Sequence, residues 1–395
     1  MSVSSLLFAY DYPPMGGGIA TALGAIARHA GPAMLVSTGA APVAEPMTCP
    51  GMDQVDRLAM ASDRLRTLPG LFRWARRGST LVARHQPEFL WAGNLKPAGH
   101  VAHWLARRHR VPYGVILYGS DVLRLRRQVE RPGMKRLAAR RLLGDARRVA
   151  AISRWTLDQA IELSRHLGIE ALGDRGEVIP LGVDAGRFHP GAGAGSRQAI
   201  RRGATHWLLT VCRLVPHKGV DTALEVLAAL RRRGLDVGYL VAGDGPDAAA
   251  LARRALELGV ADQVRWLGRV PEDELPALYA AVDAYLGLSR EEGVEVEGFG
   301  LSLLGAAAAG LPVIAGASGG TGESVVEGVT GFRVPPLDVA AAAARVEGVL
   351  DDPGLARRLG TAGRARAESR FSWSQAAAAL LAAGSSAGAR APAGS

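Results

Sequence analysis

Lys218 stands five positions after Arg213 in the stretch Thr-Val-Cys-Arg-Leu-Val-Pro-His-Lys-Gly at 210–219, between an apolar run and one with helical spacing. Two cations at the exit of a strand and the start of a helix can hold a diphosphate, because the open amide hydrogens of a helix N-terminus add to their charge. The same residues also suit an ordinary basic loop. Val-Ala-Gly-Asp-Gly-Pro at 241–246 ends another apolar run. Asp244 and Gly245 there either let a ligand approach the backbone or simply turn the chain from strand to helix. Gly243 and Gly245 lack the third glycine of a dinucleotide fingerprint, which argues against a nicotinamide cofactor. Glu-Val-Glu-Gly-Phe-Gly-Leu-Ser-Leu-Leu at 295–304 sets Glu297 in a glycine loop ahead of an apolar helix, as a ligand carboxylate or as a helix cap.

Loops of this kind need strands and helices in alternation to hold them. Buried strands are expected at 5–10, 33–37, 89–92, 113–117 and 149–152, with a helix at 19–29 and further helices between the rest. The stretch 184–196, with Pro190 and Gly-Ala-Gly-Ala-Gly, has linker composition. The alternation then resumes. Strands are expected at 206–211, 236–242, 264–267, 284–286, 312–315 and 331–334, and helices at 220–233, 248–258, 272–281 and 301–309. Such a pattern predicts two doubly wound parallel sheets, and in such sheets ligands bind outside the carboxyl ends of the strands. Two facing domains of this type would leave a cleft between them. The Ala-Gly-Ser-rich residues from Gly384 onward read as a disordered tail.

Bulk properties agree with two domains: 395 residues, 48% of them hydrophobic, suffice for two cores. Cys49 and Cys212 are the only cysteines, too few for a disulfide framework or a zinc cluster, and they fit a reducing cytoplasm. No secretory leader is expected, since the apolar run at 6–10 is short, lacks a basic start and meets Asp11 at once. The apolar stretch 301–317 is broken by Gly305, Gly310, Pro312 and Gly316 and reads as a buried helix followed by a strand, not a membrane span. Charge is uneven. Residues 1–150 hold 22 Lys and Arg against 9 Asp and Glu, a net of +13, and the remainder nets −3. A basic first half points to an anionic partner: a membrane surface, a phosphorylated acceptor or nucleic acid.

Taken in order, the second-half segments resemble glycosyltransferase family 4. The likeness runs from Arg213-Leu-Val-Pro-His-Lys-Gly through Val241-Ala-Gly-Asp-Gly-Pro and Leu267-Gly-Arg-Val-Pro. It continues with Glu297-Gly-Phe-Gly-Leu, Ala309-Gly-Leu-Pro-Val-Ile-Ala, Ser318-Gly-Gly and Gly328-Val-Thr-Gly-Phe. Weaker matches in the first half are Tyr12-Pro-Pro with Gly16-Gly-Gly-Ile, Tyr118-Gly-Ser-Asp and Val178-Ile-Pro-Leu-Gly-Val-Asp. Arg370-Phe-Ser-Trp looks like the start of the family's final helix. The segment 289–300 with Val313-Ile-Ala-Gly looks most like the GDP-mannose-dependent phosphatidylinositol mannosyltransferase branch.

The resemblance implies the α/β GT-B class, two Rossmann-like domains facing across a cleft. Residues 1–184 would form the acceptor side, joined by a crossover helix at about 372–384. Residues 185–371 would bind the nucleotide-sugar, and 385–395 would be a disordered tail. The implied reaction retains anomeric configuration and moves a hexosyl group, mannose from GDP-mannose ahead of a UDP-linked hexose. The acceptor would be a hydroxyl of a lipid, polysaccharide or small molecule. In this picture Arg213 and Lys218 carry the donor diphosphate, and Asp244, Gly245 and Val270 lie around the donor and its base. Glu297 and the backbone of Phe299, Gly300 and Leu301 meet the sugar and phosphates. Gly17 and Gly18 close over the phosphates, and Tyr118 and Asp121 face the sugar and acceptor. The cations do the work a metal does elsewhere, so neither metal nor cofactor is expected.

Two departures from the family pattern stand out. The family's second glutamate, eight positions after the first, is Gly305 here, which removes a charge-assisted grip on the ribose. Tyr118 replaces a histidine found in many relatives and is no base near neutral pH. His100 and His103, on an expected helix, read as structural histidines. Arg64, Arg66, Arg73, Arg76, Arg77 and Arg84 alternate with Leu71, Phe72 and Trp74, and Arg124, Arg126, Arg127, Lys135, Arg136, Arg140 and Arg141 form a second cluster. Both suit docking on an anionic bilayer at the cytoplasmic face, or a solvated helix face. Two rival functions stand beside the transferase: a catalytically weak nucleotide-sugar-binding protein, favoured by Gly305, and a basic nucleic-acid binder, disfavoured by the lack of any recognition motif.

Overall fold

The computed structural model describes residues 3–40, 54–193, 195 and 200–388. It divides into two compact units, one made of Met1–Leu181 and Trp373–Ser395, the other of Gly182–Ser372.

In the first unit, short apolar runs with no polar side become strands covered on both faces. The strands are β1 (Ser5–Phe8), β2 (Met34–Ala40), β3 (Val55–Ala61), β4 (Phe89–Ala92), β5 (Tyr113–Leu117), β6 (Arg148–Ala151) and β7 (Gly176–Val178). They form one parallel sheet in the order β3-β2-β1-β4-β5-β6-β7. β1, β4 and β5 are buried at every position. Register is set by pairings such as Ser5 with Met34 on one side and with Phe89 on the other. The edge strands β3 and β7 lie outside the set expected from hydrophobic runs. β3 carries the adjacent charged residues Asp56 and Arg57, both half-buried as an edge strand allows, and Asp56 pairs with Arg77.

The second unit repeats the plan with β8 (His206–Val211), β9 (Val237–Ala242), β10 (Val264–Gly268), β11 (Ala284–Gly287), β12 (Val313–Gly316) and β13 (Gly331–Val334). Its parallel order is β10-β9-β8-β11-β12-β13. In each sheet the chain builds outward from one central strand, then crosses to build the other half. The reversal falls between β1 and β4 in the first sheet and between β8 and β11 in the second. Those reversals open crevices at the carboxyl ends, where the candidate residues are found.

Capping fixes several helix starts. Ser153 accepts from the Thr156 amide at 3.1 Å, and Asp352 accepts from Gly354 and Leu355 at 2.8 and 2.9 Å. The last helix, Trp373–Gly388, packs on the helix Gly18–Ala30 of the first unit. It does not end near 384 as its Ala-Gly-Ser composition suggests. Ser386 Oγ returns to the Ala383 carbonyl at 3.1 Å and accepts from Arg148 at 2.8 Å, which carries the helix onward. The rest of the expected tail, 389–395, lies outside the described residues, as do 194 and 196–199 of the expected linker. Among the described residues, no helix is long and apolar enough to cross a membrane.

Candidate functional site

The sharpest constellation sits at the crevice of the second sheet. Arg213 follows β8, and Lys218 ends a short 3₁₀ turn (Pro216–Lys218) just before helix Val220–Arg232. Glu297 lies on the loop between β11 and helix Leu301–Ala308. Neighbouring strands thus bring together residues 79 positions apart: Lys218 Nζ is 2.6 Å from Glu297 Oε2. Ser289 Oγ donates to the same oxygen at 3.3 Å. The two charged side chains are only 20% and 15% exposed, which makes their pairing decisive for the loops that carry them.

Burial opposes charge on both groups, yet the pair overrides it. Lys218 is held above the ordinary lysine range because the Glu297 carboxylate outweighs desolvation, and Glu297 is held below the ordinary glutamate range by Lys218. Arg213 adds a second cation near enough to oppose the protonation of Lys218. Arg213 is exposed, and its side chain has no ion pair or hydrogen bond among the described residues. Two cations facing one carboxylate leave the crevice with unmatched positive charge, which suits an incoming anion. Cys212, beside them, is pushed up to about 12 by burial and stays a thiol. His217 is lowered by burial and by Lys218, so it is neutral at pH 7.

The other second-unit candidates ring the same sheet end. Asp244 and Gly245 follow β9, and the Gly245 amide donates to Asp244 Oδ1 at 2.7 Å. The Leu214 amide donates to the Asp244 carbonyl at 2.9 Å and so ties the β8 and β9 loops. Val270 follows β10 and is half-buried against an apolar cluster. The Phe299 ring is buried, edge-on to Phe371 at 5.6 Å, so only its backbone is left for a ligand. Its carbonyl already accepts from Ser324 Oγ. Gly300 has φ 93° at the helix start, with Leu301 as the first helical residue. Gly305 is buried in that helix, and a methyl group there would meet Tyr279 at 3.4 Å and Phe188 at 3.7 Å, ordinary contacts.

The first-unit candidates gather at the crevice of their own sheet. Gly17 (φ 119°) and Gly18 are exposed at the start of helix Gly18–Ala30, whose first turn holds no acidic residue. Tyr118 follows β5 with its hydroxyl buried and without a partner among the described residues. Asp121 Oδ1 accepts the Tyr118 and Val122 amides, each at 3.0 Å, while Oδ2 is buried and unpartnered among the described residues. Two residues not singled out from sequence join them. Asn94, after β4, donates to Asp11 Oδ2 at 3.4 Å and accepts the Ala98 amide at 3.2 Å. Burial raises Asp11, against the opposing charge of Arg66. The position of Asp11 and Asn94 at the two central strands was the available signal. His103 is structural: its ring lies edge-on to Tyr113, with Nδ1 3.1 Å from the phenol oxygen.

Burial pushes the Asp121 carboxyl up to about 6, although the backbone amides of Tyr118, Val122, Asp121 and Gly119 favour its charged form. Against an open-chain value near 3.9, the folded protein therefore holds an extra proton between about pH 4 and 6. The burial penalty is absent below that window, grows through it and is full above it. Asp121→Asn keeps the acceptor for the Tyr118 and Val122 amides. It is expected to raise stability by roughly 2–3 kcal/mol at pH 7.5 and to change it little at pH 4. Urea unfolding at both pH values measures this; equal effects at the two values would contradict it.

The basic clusters also take definite form. On helix Leu68–His85, Leu68 and Phe72 are exposed beside Arg73 and Arg76. Trp74, expected on that apolar face, is instead fully buried, with its indole donating to Ser37 Oγ at 3.1 Å. Helical spacing places it with Gly78, Leu81 and Val82 on the core side. On helix Met134–Gly144, Met134 and Leu137 are exposed among Lys135 and Arg140.

The chain is similar to known proteins over most of its length. The family model described as glycosyl transferases group 1 matches residues 197–366. A protein of Mycolicibacterium smegmatis, named GDP-mannose-dependent alpha-(1-6)-phosphatidylinositol monomannoside mannosyltransferase, is 32% identical over 93% of this chain and 94% of its own. Its namesake in Mycobacterium tuberculosis H37Rv is 33% identical over 95% and 96%. In fold, the chain is similar to the crystal structure of Anabaena Alr3699/HepE in complex with UDP and glucose. That likeness has a TM-score of 0.79 and 22% identity, over 97% of this chain and all of that one. The shared architecture is GT-B, built of two Rossmann-like domains with parallel sheets.

Proposed function

The chain belongs to the group 1 glycosyltransferase family, and from that membership we propose a retaining hexosyltransferase that takes mannose from GDP-mannose in preference to a UDP-linked hexose. The acceptor is a hydroxyl, and the names of the relatives favour a phosphoinositide glycolipid. One observation carries the reading: Arg213, Lys218 and Glu297 converge at the reversal between β8 and β11 with positive charge left over. As the bond from the sugar to the β-phosphate breaks, Lys218 and Arg213 neutralise the charge that develops on the departing diphosphate. Glu297, released from Lys218, accepts hydrogen bonds from sugar hydroxyls. The acceptor oxygen attacks on the face the diphosphate leaves, so configuration is retained. For the acceptor we assign Tyr118 and Asp121, just after β5, and we expect no metal.

A thermal-shift panel of GDP-, UDP-, ADP- and dTDP-sugars tests the donor. GDP-mannose is expected to give the largest rise in melting temperature; no shift with any of them would overturn the reading.

Gly305 supports a second reading, a nucleotide-sugar binder with slow turnover, because the family's second carboxylate is missing at a position where a Cβ would make only ordinary contacts. Under it, Gly305→Glu tightens donor binding by about 10–150-fold, one charge-assisted hydrogen bond. Calorimetry with GDP-mannose measures this, and a substituted protein that binds no better removes that reading.

We further propose that the exposed Leu68, Phe72, Met134 and Leu137, ringed by arginines and lysines, rest the protein on an anionic bilayer at the inner face of the cytoplasmic membrane. Sedimentation with phosphatidylglycerol vesicles, and release by salt, is the expected result. Equal recovery with phosphatidylcholine vesicles would contradict it.

A further inference from the structure

Two ion pairs join the loop that carries Glu297 to the segment 218–221 of the second domain, which runs from a 3₁₀ turn into a helix. Lys218 meets Glu297 at 2.6 Å. Arg290, near the start of the Glu297 loop, makes a bidentate pair with Asp221, three residues beyond Lys218, at 2.7 and 3.0 Å. The Arg290 amide also donates to the His217 carbonyl at 2.8 Å, and its Nε donates to Glu292 at 3.2 Å. The Arg290 side chain is only 14% exposed. Beyond it the loop folds back through reciprocal hydrogen bonds between Glu292 and Glu295 at 2.9 and 3.0 Å. Below it, Gly219 (φ 67°) lies so close to the Leu288 carbonyl that no side chain fits.

If the donor diphosphate takes Lys218, as proposed above, the Lys218–Glu297 bridge opens during each turnover. The other bridge has no reason to open, since neither Asp221 nor Arg290 has a part in binding. We propose that Arg290 is a positioning residue: its fork on Asp221 keeps the Glu297 loop in register with the cation loop while Lys218 is engaged by the donor. The planar guanidinium suits this task because two parallel hydrogen bonds fix orientation as well as distance, which a lysine ammonium does not. Arg213 and Lys218 both precede Asp221 on the other segment, so losing the fork misplaces Glu297 and leaves these two cations in place.

The inference rests on the donor-site reading, and the test separates the two. GDP affinity is measured by calorimetry, and kcat by GDP release from GDP-mannose, in the full-length protein. The variants are Arg290→Lys, Asp221→Asn and the double exchange Asp221→Arg with Arg290→Asp. Wild type that neither binds GDP nor releases it from GDP-mannose defeats the donor-site reading itself. With an active wild type, Arg290→Lys and Asp221→Asn are each expected to lose about 10–100-fold in kcat, with GDP affinity kept within about threefold. The double exchange is expected to recover at least about fivefold over Arg290→Lys, because the fork reforms in reverse. Wild-type kcat in both single variants, GDP affinity falling as far as kcat, or a double exchange no better than Arg290→Lys would each overturn the proposal.

Discussion

Lys218→Ala is expected to lower turnover by about 10²–10³-fold, the usual loss when one preorganised group facing developing charge is removed. Arg213 remains, so some donor binding survives and the damage falls mainly on kcat. The substitution also strands Glu297, a carboxylate with only 15% of its side chain exposed, without the ammonium 2.6 Å away. Breaking a buried pair from one side costs roughly 3 kcal/mol or more. Adding Glu297→Gln removes the stranded charge and is expected to restore most of the stability and none of the turnover. Rates of GDP release and denaturant unfolding of the wild type and the two variants measure both effects. Near-normal turnover in Lys218→Ala would strip the residue of its assigned part. A double variant no more stable than the single would show that the pair does not hold the loops. The acid limit follows from the same pair. Glu297 is depressed by Lys218, so its share of stability is present above the ordinary glutamate range and is lost only as pH falls through its lower folded value.

Gly243→Ala is expected to have the largest structural effect. Gly243 sits at φ 149° just past β9, and a methyl group there would be driven into the Cys212 carbonyl. That carbonyl belongs to backbone held between the sheet, through the Cys212 amide to Ala242 at 3.0 Å, and the Leu214 amide's bond to Asp244 at 2.9 Å. Neither side can yield without parting β8 from β9. Strain in φ of about 1–3 kcal/mol and overpacking of about 1–3 kcal/mol act together. The expected outcome is a loss of roughly 2–6 kcal/mol in unfolding free energy, with GDP binding lost because Arg213 moves with its loop. Substituting Gly234, also at positive φ (82°) but with open space around it, carries the φ strain alone and should leave GDP affinity unchanged. Unfolding curves and GDP titrations of both variants check this. Equal losses of GDP affinity would show that crowding at Cys212 is not the cause.

Most of the second domain was legible in sequence because its motifs follow directly on buried apolar strands. Arg213, Asp244 and Glu297 stand within a few residues of β8, β9 and the helix Leu301–Ala308, so strand ends located the site. What escaped were features set by tertiary contact. β3 carries Asp56 and Arg57 side by side because an edge strand meets solvent, and those charges hid it among loops. Trp74 looked like part of an exposed apolar face until the helix phase turned it inward toward Ser37. Asn94 meets Asp11 across 83 positions only because β1 and β4 are neighbours, a pairing the order of segments does not reveal. Arg290 lies within a recognisable motif, but its partner Asp221 is in the first turn of helix Val220–Arg232, 69 positions away. Gly305 was legible as a departure, whereas its contacts with Tyr279 and Phe188 came only from packing.

The most direct measurement is a crystal structure of the protein soaked with GDP-mannose. The diphosphate oxygens are expected within hydrogen-bond distance of the Arg213 guanidinium and Lys218 Nζ, with the sugar hydroxyls turned toward Glu297. A diphosphate lodged away from both cations would contradict the account.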